Sequence, residues 1–356
     1  MIFRVLWTLL TVGTFVVSRA LNLNPSQAIA TTVFLSLIYG TLFFWESRLG
    51  FAFFGLSLLL ALKVTDIPHV IQFAGLDIIL FLIGMMVVIG FLEERKFFDH
   101  IVERLAIWVG PKAYRLMTVM MVAAFISAAL VDEVTSIMFM TTTLLLFLKK
   151  AKVAVIPFVM MVVFATNIGS SATVVGNPIG VLIAMNAHLT FFDFIRWAFP
   201  PAFVSLLVCI PLCFLIFRKP MMELDKRLRE QHVLEKVAKI EEQEEKKFAP
   251  DLPLAWVIFG VTILGLILHS HLEGYLGLEK NTLLIGVALL MAGICLFISG
   301  EKARELVEKR VDWWTLSFFL VLFASVGTLQ YVGVTSLLAK WIVDVAGGNP
   351  LGILFA

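Results

Sequence analysis

The sequence has 356 residues, 60% of them hydrophobic and only 15% charged, with a formal net charge of +2. A soluble domain carries roughly 25% charged residues, so the composition does not fit a water-soluble globular chain. With no basic stripe outside the loops between apolar blocks, it also argues against nucleic-acid binding.

The apolar residues fall in blocks of about 15–20, the length at which a helix crosses a bilayer, and not in the ten-residue alternating segments of a barrel. The first block, Ile2 to Ser18, ends at Ser18-Arg19-Ala20, which faintly resembles a signal cleavage site. A single arginine in the leading region and a long apolar part favour an uncleaved first span. Further spans are expected at 28–46, 51–63 (a short one), 77–92, 154–187 (interrupted), 200–217, 254–271, 282–299 and 313–331. Between the fourth and fifth lies Leu116–Leu148, apolar but broken by Val131-Asp132-Glu133-Val134-Thr135-Ser136. Each half is short for a crossing, which suggests a re-entrant helical hairpin over about residues 114–148 with its tip at membrane depth. The loop 218–252 carries nine Lys/Arg and nine Asp/Glu, including the run Glu241 to Lys247, and reads as a solvated helical linker between two bundles.

Charge asymmetry supports this layout. With the N-terminus cytoplasmic and the hairpin entering and leaving on one side, 23 of the 28 Lys/Arg fall on cytoplasmic segments and 5 outside. A full span at Leu116–Leu148 would flip every later loop and send the basic loop 218–252 outside. The expectation is a multi-pass protein of the cell (plasma) membrane.

An internal repeat is discernible. Asp77-Ile78-Ile79-Leu80 opens the fourth span as Asp312-Trp313-Trp314-Thr315 opens the ninth. Amphipathic pieces follow, His100–Val109 and Thr335–Val345, then the turns Gly110-Pro111 and Gly347-Gly348-Asn349-Pro350. Opposite orientations of the two spans point to an inverted repeat. The division is residues 1–217 (first span plus first repeat), 218–252 (linker) and 253–356 (partial second repeat). Counterparts of the hairpin, the interrupted span and the closing span do not follow. Roughly one hundred residues, the length of Leu116–Phe217, are wanting, and the expectation is a fragment, with a genuinely reduced second half as the alternative.

Chemistry concentrates at two places. At the hairpin tip, Asp132 and Glu133 are adjacent acids inside an apolar segment, where an ionised side chain costs about 2.5–3.5 kcal/mol at the bilayer centre. Such groups persist where they meet water, a cation or a proton path, and their mutual repulsion makes the pair a candidate proton carrier. Thr135 and Ser136 add hydroxyl oxygens for sodium or for an anion. The plainer reading is a cytoplasmic turn between short helices. The second place is Asn167 to Gly180, where Gly169, Gly176, Gly180 and Pro178 interrupt a span. A broken helix exposes carbonyls suited to a cation and amides suited to an anion. Pro178 suits the first turn of the second half-helix, while Asn167, Ser170, Ser171, Thr173 and Asn177 supply neutral polar groups. The plainer reading here is a kink with small residues for helix packing. Cys209, Cys213 and Cys295 lie in apolar stretches without paired histidines, so neither a metal centre nor a disulfide framework is expected.

Together the two constellations resemble the ion-transporter superfamily that includes citrate-transporter-like proteins, divalent anion:sodium symporters, arsenical permeases, related sodium/proton antiporters and the melanosomal P protein. Asp132-Glu133-Val134-Thr135 matches the Asp-Asn-Val/Leu-Thr tip of the P-protein and antiporter branches, with Glu133 in place of Asn. Asn167-Ile168-Gly169-Ser170-Ser171-Ala172-Thr173-Val174-Val175-Gly176-Asn177-Pro178 follows their interrupted span and then departs at Ile179-Gly180. The resemblance implies an all-α inverted-repeat secondary transporter of eleven spans plus two hairpins, a homodimer, and elevator-type alternating access. It carries site roles to Asp132, Glu133, Thr135, Asn167, Ser170, Thr173 and Asn177, with a sodium site near Asp132, Asn167 and Thr173. Glu133 changes the charge where ion or substrate binds.

The resulting expectation is an ion-coupled secondary transporter of a small ion or anion, using H+ or Na+ and no other cofactor. An arsenite or dicarboxylate permease is the alternative, or a non-transporting membrane scaffold if the second half is truly reduced. A membrane-embedded enzyme needs a nucleophile–base or metal set, and none is visible.

Overall fold

A computed structural model describes residues 2–98, 100, 101, 104, 112–131, 133–231 and 252–347. Asp132, most of His100–Val109, Gly110-Pro111, the acidic run of the linker and Gly348 to Pro350 lie outside the described residues. The described residues are helical, with no strand among them. Eight helices among them are long and apolar enough to cross a membrane, as the composition requires.

Packing gathers the chain into two compact units, residues 1–79 with 312–356, and residues 80–311. The repeat division is drawn along the sequence, and packing groups the chain differently.

In the first unit, α1 (Ile2–Ala20), α2 (Pro25–Phe43) and α3 (Arg48–Ala61) are followed by the short α4 (Ile67–Phe73). α16 (Trp313–Tyr331) packs against α2, α3 and α4, and the amphipathic α17 (Val334–Val345) follows it. Two apolar clusters hold these helices, one of Ala30, Val33, Leu59, Val64 and Leu329, the other of Leu37, Leu49, Ala52, Phe318 and Val321. α2 starts where Asn24 and Gln27 form a capping box with Pro25 at the first helical position. α3 is only 14 residues long, or about 21 Å at 1.5 Å per residue, and so is as short as its sequence suggests.

In the second unit, the body of α5 (Leu76–Glu94) leads to α6 (Ala113–Leu130) and α7 (Glu133–Ala151), two helices packed on each other where the sequence suggests a hairpin. α6 is longer than its apolar pattern suggests: its 18 residues suffice by length and composition for a crossing. Its start is fastened by Asp225, 112 residues downstream, which accepts a hydrogen bond from the Ala113 amide at 3.1 Å. Asp225 sits on α12 (Arg218–Gln231), where Met221, Leu224 and Leu228 are buried and the helix packs on α6 and α7. The described start of the linker is therefore an amphipathic helix with one face covered.

The interrupted span is also present. α8 (Ile156–Ser170) stops, residues 171–177 run without helix, and α9 (Pro178–Ala187) resumes. A further corner follows that the sequence did not signal: α10 (Phe191–Trp197) leaves α9 at 108°. His188 makes this turn in the left-handed region, φ 52°, and a Thr190–Asp193 capping box opens α10. α11 (Phe199–Ile216), α13 (Leu252–Leu276), α14 (Thr282–Ser299) and α15 (Ala303–Arg310) complete the unit. Arg310 pairs with Glu93 at 3.0 Å and Glu94 at 3.7 Å, tying α15 to the end of α5.

Candidate functional site

Four helix ends meet where the hairpin tip touches the break. Each leaves backbone groups that its own helix cannot satisfy, and here they satisfy one another. The Thr173 hydroxyl in the break donates to the Ala129 carbonyl at the end of α6. The Glu133 amide, first in α7, donates to the Gly176 carbonyl at 3.0 Å. The Asn177 side chain closes the other two ends: its amide donates to the Ser170 carbonyl ending α8 at 3.0 Å, and its oxygen accepts from the Gly180 amide of α9 at 2.7 Å.

Two glycines allow the approach. A Cβ on Gly169 would collide with the Phe125 backbone of α6, its Cα 2.7 Å away. One on Gly176 would stand 2.8 Å from the Ala128 carbonyl oxygen and overlap the Ser170 backbone. Gly169 is thus a helix-packing residue of the small-residue kind.

Within this frame the Ser170 hydroxyl donates to Glu133 Oε2 at 3.1 Å and to the Asn167 carbonyl at 3.0 Å. Ser170 and Thr173 are each only 2% exposed. Ser136, fully buried, hydrogen-bonds Ser127 across the hairpin at 2.8 Å. The junction thus brings together Glu133, Ser170, Gly176 and Asn177, with Thr173 bonding across to α6. Thr135 is half-buried on the first turn of α7, and Pro178 occupies the first turn of α9 as its fixed φ favours. Asn167 and Ser171 are exposed and bond back onto α8, to the Val163 carbonyl at 2.7 Å and the Ile168 carbonyl at 2.8 Å. Asn167 and Thr173, both expected near sodium, therefore engage separate partners. Beside the tip lies an apolar cavity of about 270 Å³, walled by Ile126, Leu130, Val131, Phe139 and Trp256, with Ser127 at its polar edge.

Chemically, the described residues of the junction offer the Glu133 carboxylate held by a hydroxyl, two helix C-termini with partial negative charge and two N-termini with partial positive charge. Among the described residues, no group of three or more His, Cys, Asp or Glu could hold a metal ion.

A second buried polar group escaped the sequence reading. Glu273 is 4% exposed near the end of α13, and its two oxygens accept the Asn281 amide at 3.1 Å and the Leu283 amide at 2.8 Å. The Asn281 side chain donates to the Ala184 carbonyl of α9 at 3.3 Å. One signal was present. Ala255, Ile258, Thr262, Leu266, His269 and Glu273 recur at helical spacing, so the acid continues the buried stripe.

Comparison with known proteins adds the lineage. The chain is 29% identical over 285 residues to an uncharacterized transporter of Mycobacterium tuberculosis, covering 78% of this chain and 61% of that protein. It is 28% identical over 279 residues to the 46 kDa membrane protein of Mycobacterium leprae, covering 77% and 61%. To the human P protein it is 24% identical over 394 aligned positions, covering 90% and 46%. The chain thus spans about 61% of the length of the mycobacterial relatives. The family model for the citrate transporter (CitMHS) matches residues 41–356, and the chain, an all-α membrane protein with a hairpin and a broken span, belongs to that transporter family.

Proposed function

We propose that this chain is the ion-coupled part of a secondary transporter that moves a small ion or anion across the plasma membrane, and that the junction of hairpin tip and broken span is where ion and substrate bind. The observation that carries the reading is the mutual capping of four helix ends around Glu133, Ser170, Thr173 and Asn177. Backbone left unwound at membrane depth is tolerated where it lines a protein-enclosed site. Glu133 is the described titratable group there. In this reading it exchanges a proton, or balances a sodium ion, as the Ser170 hydroxyl follows it. Asp132 is its partner on the tip, Thr135, Ser136, Asn167 and Ser171 supply further oxygens as the site rearranges, and Gly169 and Gly176 hold the backbones close.

The N-terminus is cytoplasmic in this reading, and the working unit is a homodimer. A carboxylate at the tip disfavours simple uptake of a dianion, because like charges repel unless a cation or proton intervenes. The permease reading draws on the N-termini of α7 and α9, whose amides suit an anion.

The test is flux in proteoliposomes made from the full-length protein, with imposed proton or sodium gradients. Glu133→Gln is expected to lower coupled flux about tenfold or more, the scale of losing a charged hydrogen-bond partner at about 1.5–3 kcal/mol. Undiminished coupled flux in both Asp132→Asn and Glu133→Gln would sink the site assignment, and absence of flux for any ion would favour a scaffold.

A further inference from the structure

Asn281 is the N-cap residue of α14, where an asparagine side chain ordinarily accepts an amide of its own first turn. This one makes no such bond. Glu273, buried near the end of α13, supplies the acceptors instead, taking the Asn281 amide at 3.1 Å and the Leu283 amide at 2.8 Å. The Asn281 side chain is thereby released for a bond outside its own helix. It donates to the Ala184 carbonyl of α9 at 3.3 Å. Its backbone is left-handed, φ 66°, a conformation that asparagine adopts more readily than most residues.

Ala184 lies in the last turn of α9. Its carbonyl also accepts the His188 amide and, at 2.9 Å, the Leu189 amide, where the chain turns by 108° into α10. At the opposite end of α9, Asn177 caps the helix and joins it to α8, and the Gly176 carbonyl accepts the Glu133 amide of the hairpin tip. Val181 and Ala184 are fully buried, yet among the described residues no other helix runs close alongside α9. Its direction is therefore set at its two ends.

We propose that Asn281 is a positioning residue for the transport site: held in place by Glu273, it fixes the C-terminal end of α9 and so the direction in which α9 presents its N-terminal amides to the junction. The inference rests on the reading of that junction as the place where ion and substrate bind. α9 has 10 residues. A shift of about 3 Å at one end tilts a helix about 15 Å long by about 11°. That tilt reaches the roughly 10–20° within which a binding constellation keeps its geometry. Asn281 touches neither Glu133 nor Ser170, and acts on them through α9 alone.

The test is hydrogen exchange at single amides of the chain in lipid nanodiscs, which needs no substrate. Asn281→Gly removes the side chain at a backbone angle that glycine takes without strain, and glycine serves at an N-cap. Glu273 keeps its hold on the Leu283 amide, so continued protection of Leu283 reports that α14 is folded. The His188 and Leu189 amides are expected to exchange about fivefold faster than in the unaltered chain, the scale of losing one intramolecular hydrogen bond. The Glu133 amide, at the other end of α9, is expected to exchange at least about twofold faster. A bond that merely trims the corner would speed His188 and Leu189 alone, and that result overturns the proposal, as does no change at any of the three. Should Asn281→Gly lose protection at Leu283, the decision passes to Glu273→Gln, which keeps one acceptor oxygen and should speed the same three amides about twofold; an unmoved Glu133 amide there overturns the proposal equally. If Glu133→Gln keeps full coupled flux while Asn281→Gly loosens the Glu133 amide, the junction assignment alone falls. If flux depends on Glu133 while its amide is unmoved by Asn281→Gly, only this inference falls.

Discussion

The two units use glycine for different ends. In the unit of residues 1–79 and 312–356, glycines admit aromatic rings: Phe51 at Gly40, Phe323 at Gly75 and Phe73 at Gly327. In the unit of residues 80–311 three admit backbone, Ala288 at Gly84, Phe125 at Gly169 and Ser170 at Gly176, while Gly90 and Gly265 admit the side chains of Arg310 and Val287. Buried hydroxyls in both units bond back to their own helices, Ser325 and Thr328 to Val321 and Ala324 in the first, Thr143 and Thr262 to Phe139 and Ile258 in the second, but Thr173 of the second bonds from one element to another. A ring can rotate away from an added methyl, but a helix backbone cannot move without its whole helix. Gly40 of the first unit can therefore yield to an added methyl, whereas Gly169 and Gly176 of the second hold helix ends in register.

The sharpest way to break this comparison is a pair of glycine substitutions. Gly169→Val forces α8 off α6 and is expected to cost about 3 kcal/mol or more, at or beyond the usual overpacking range, with a matching fall in thermal midpoint in detergent. Gly40→Ala is expected to cost about 1 kcal/mol, because Phe51 can turn aside and alanine regains helix propensity of similar size. Equal losses would erase the distinction between ring and backbone contacts.

A threonine pair tests the hydroxyls. Thr173→Val leaves the Ala129 carbonyl without its cap and is expected to cost about 1–3 kcal/mol, while Thr328→Val, whose partner carbonyl lies within its own helix, should cost less than about 1 kcal/mol. Equilibrium unfolding by denaturant checks both. Helix caps give a smaller contrast. Asn24→Ala should remove about 1 kcal/mol by losing one N-cap, and Asn177→Ala about twice that, because it also frees the Ser170 carbonyl.

The smallest effect is acid-sensitive and belongs to the first unit. Hydrogen bonds from the backbone amide and ring of His69 hold the Asp66 carboxyl below its usual range in the turn that starts α4. The folded value is depressed, so the stabilisation is complete above the unfolded value, about 3.9, and is lost as pH falls through the folded value. Asp66→Asn keeps a capping side chain and should flatten that acid limb in a pH series of melting points.

Much of this was legible because apolar blocks and turn residues announce themselves. Spans read at 282–299 and 313–331 coincide with α14 and α16, the second begun by Asp312 accepting the Thr315 amide. The break was visible because Gly169, Gly176 and Pro178 cannot sit in an uninterrupted helix without cost. What fastens the start of α6 was not visible, since its cap is 112 residues away in sequence. The corner at His188 was hidden because a histidine, not a glycine, takes the left-handed turn. Glu273 was missed because an acid near the end of an apolar stretch reads as an interface residue. It is buried through the turn at 277–281, whose Asn281 amide it binds, and that closure is a tertiary fact.

The bond from Asp225 to the first amide of α6 has a consequence for how the chain is made. A ribosome adds roughly 5–20 residues per second, so α6 waits about 6–22 s before the residue that fastens its start exists. During that interval the hairpin has its tip but not its root. The charged helix that follows the hairpin and broken span is thus also their closing clasp, and a chain interrupted before Asp225 would carry both with α6 unfastened at its base.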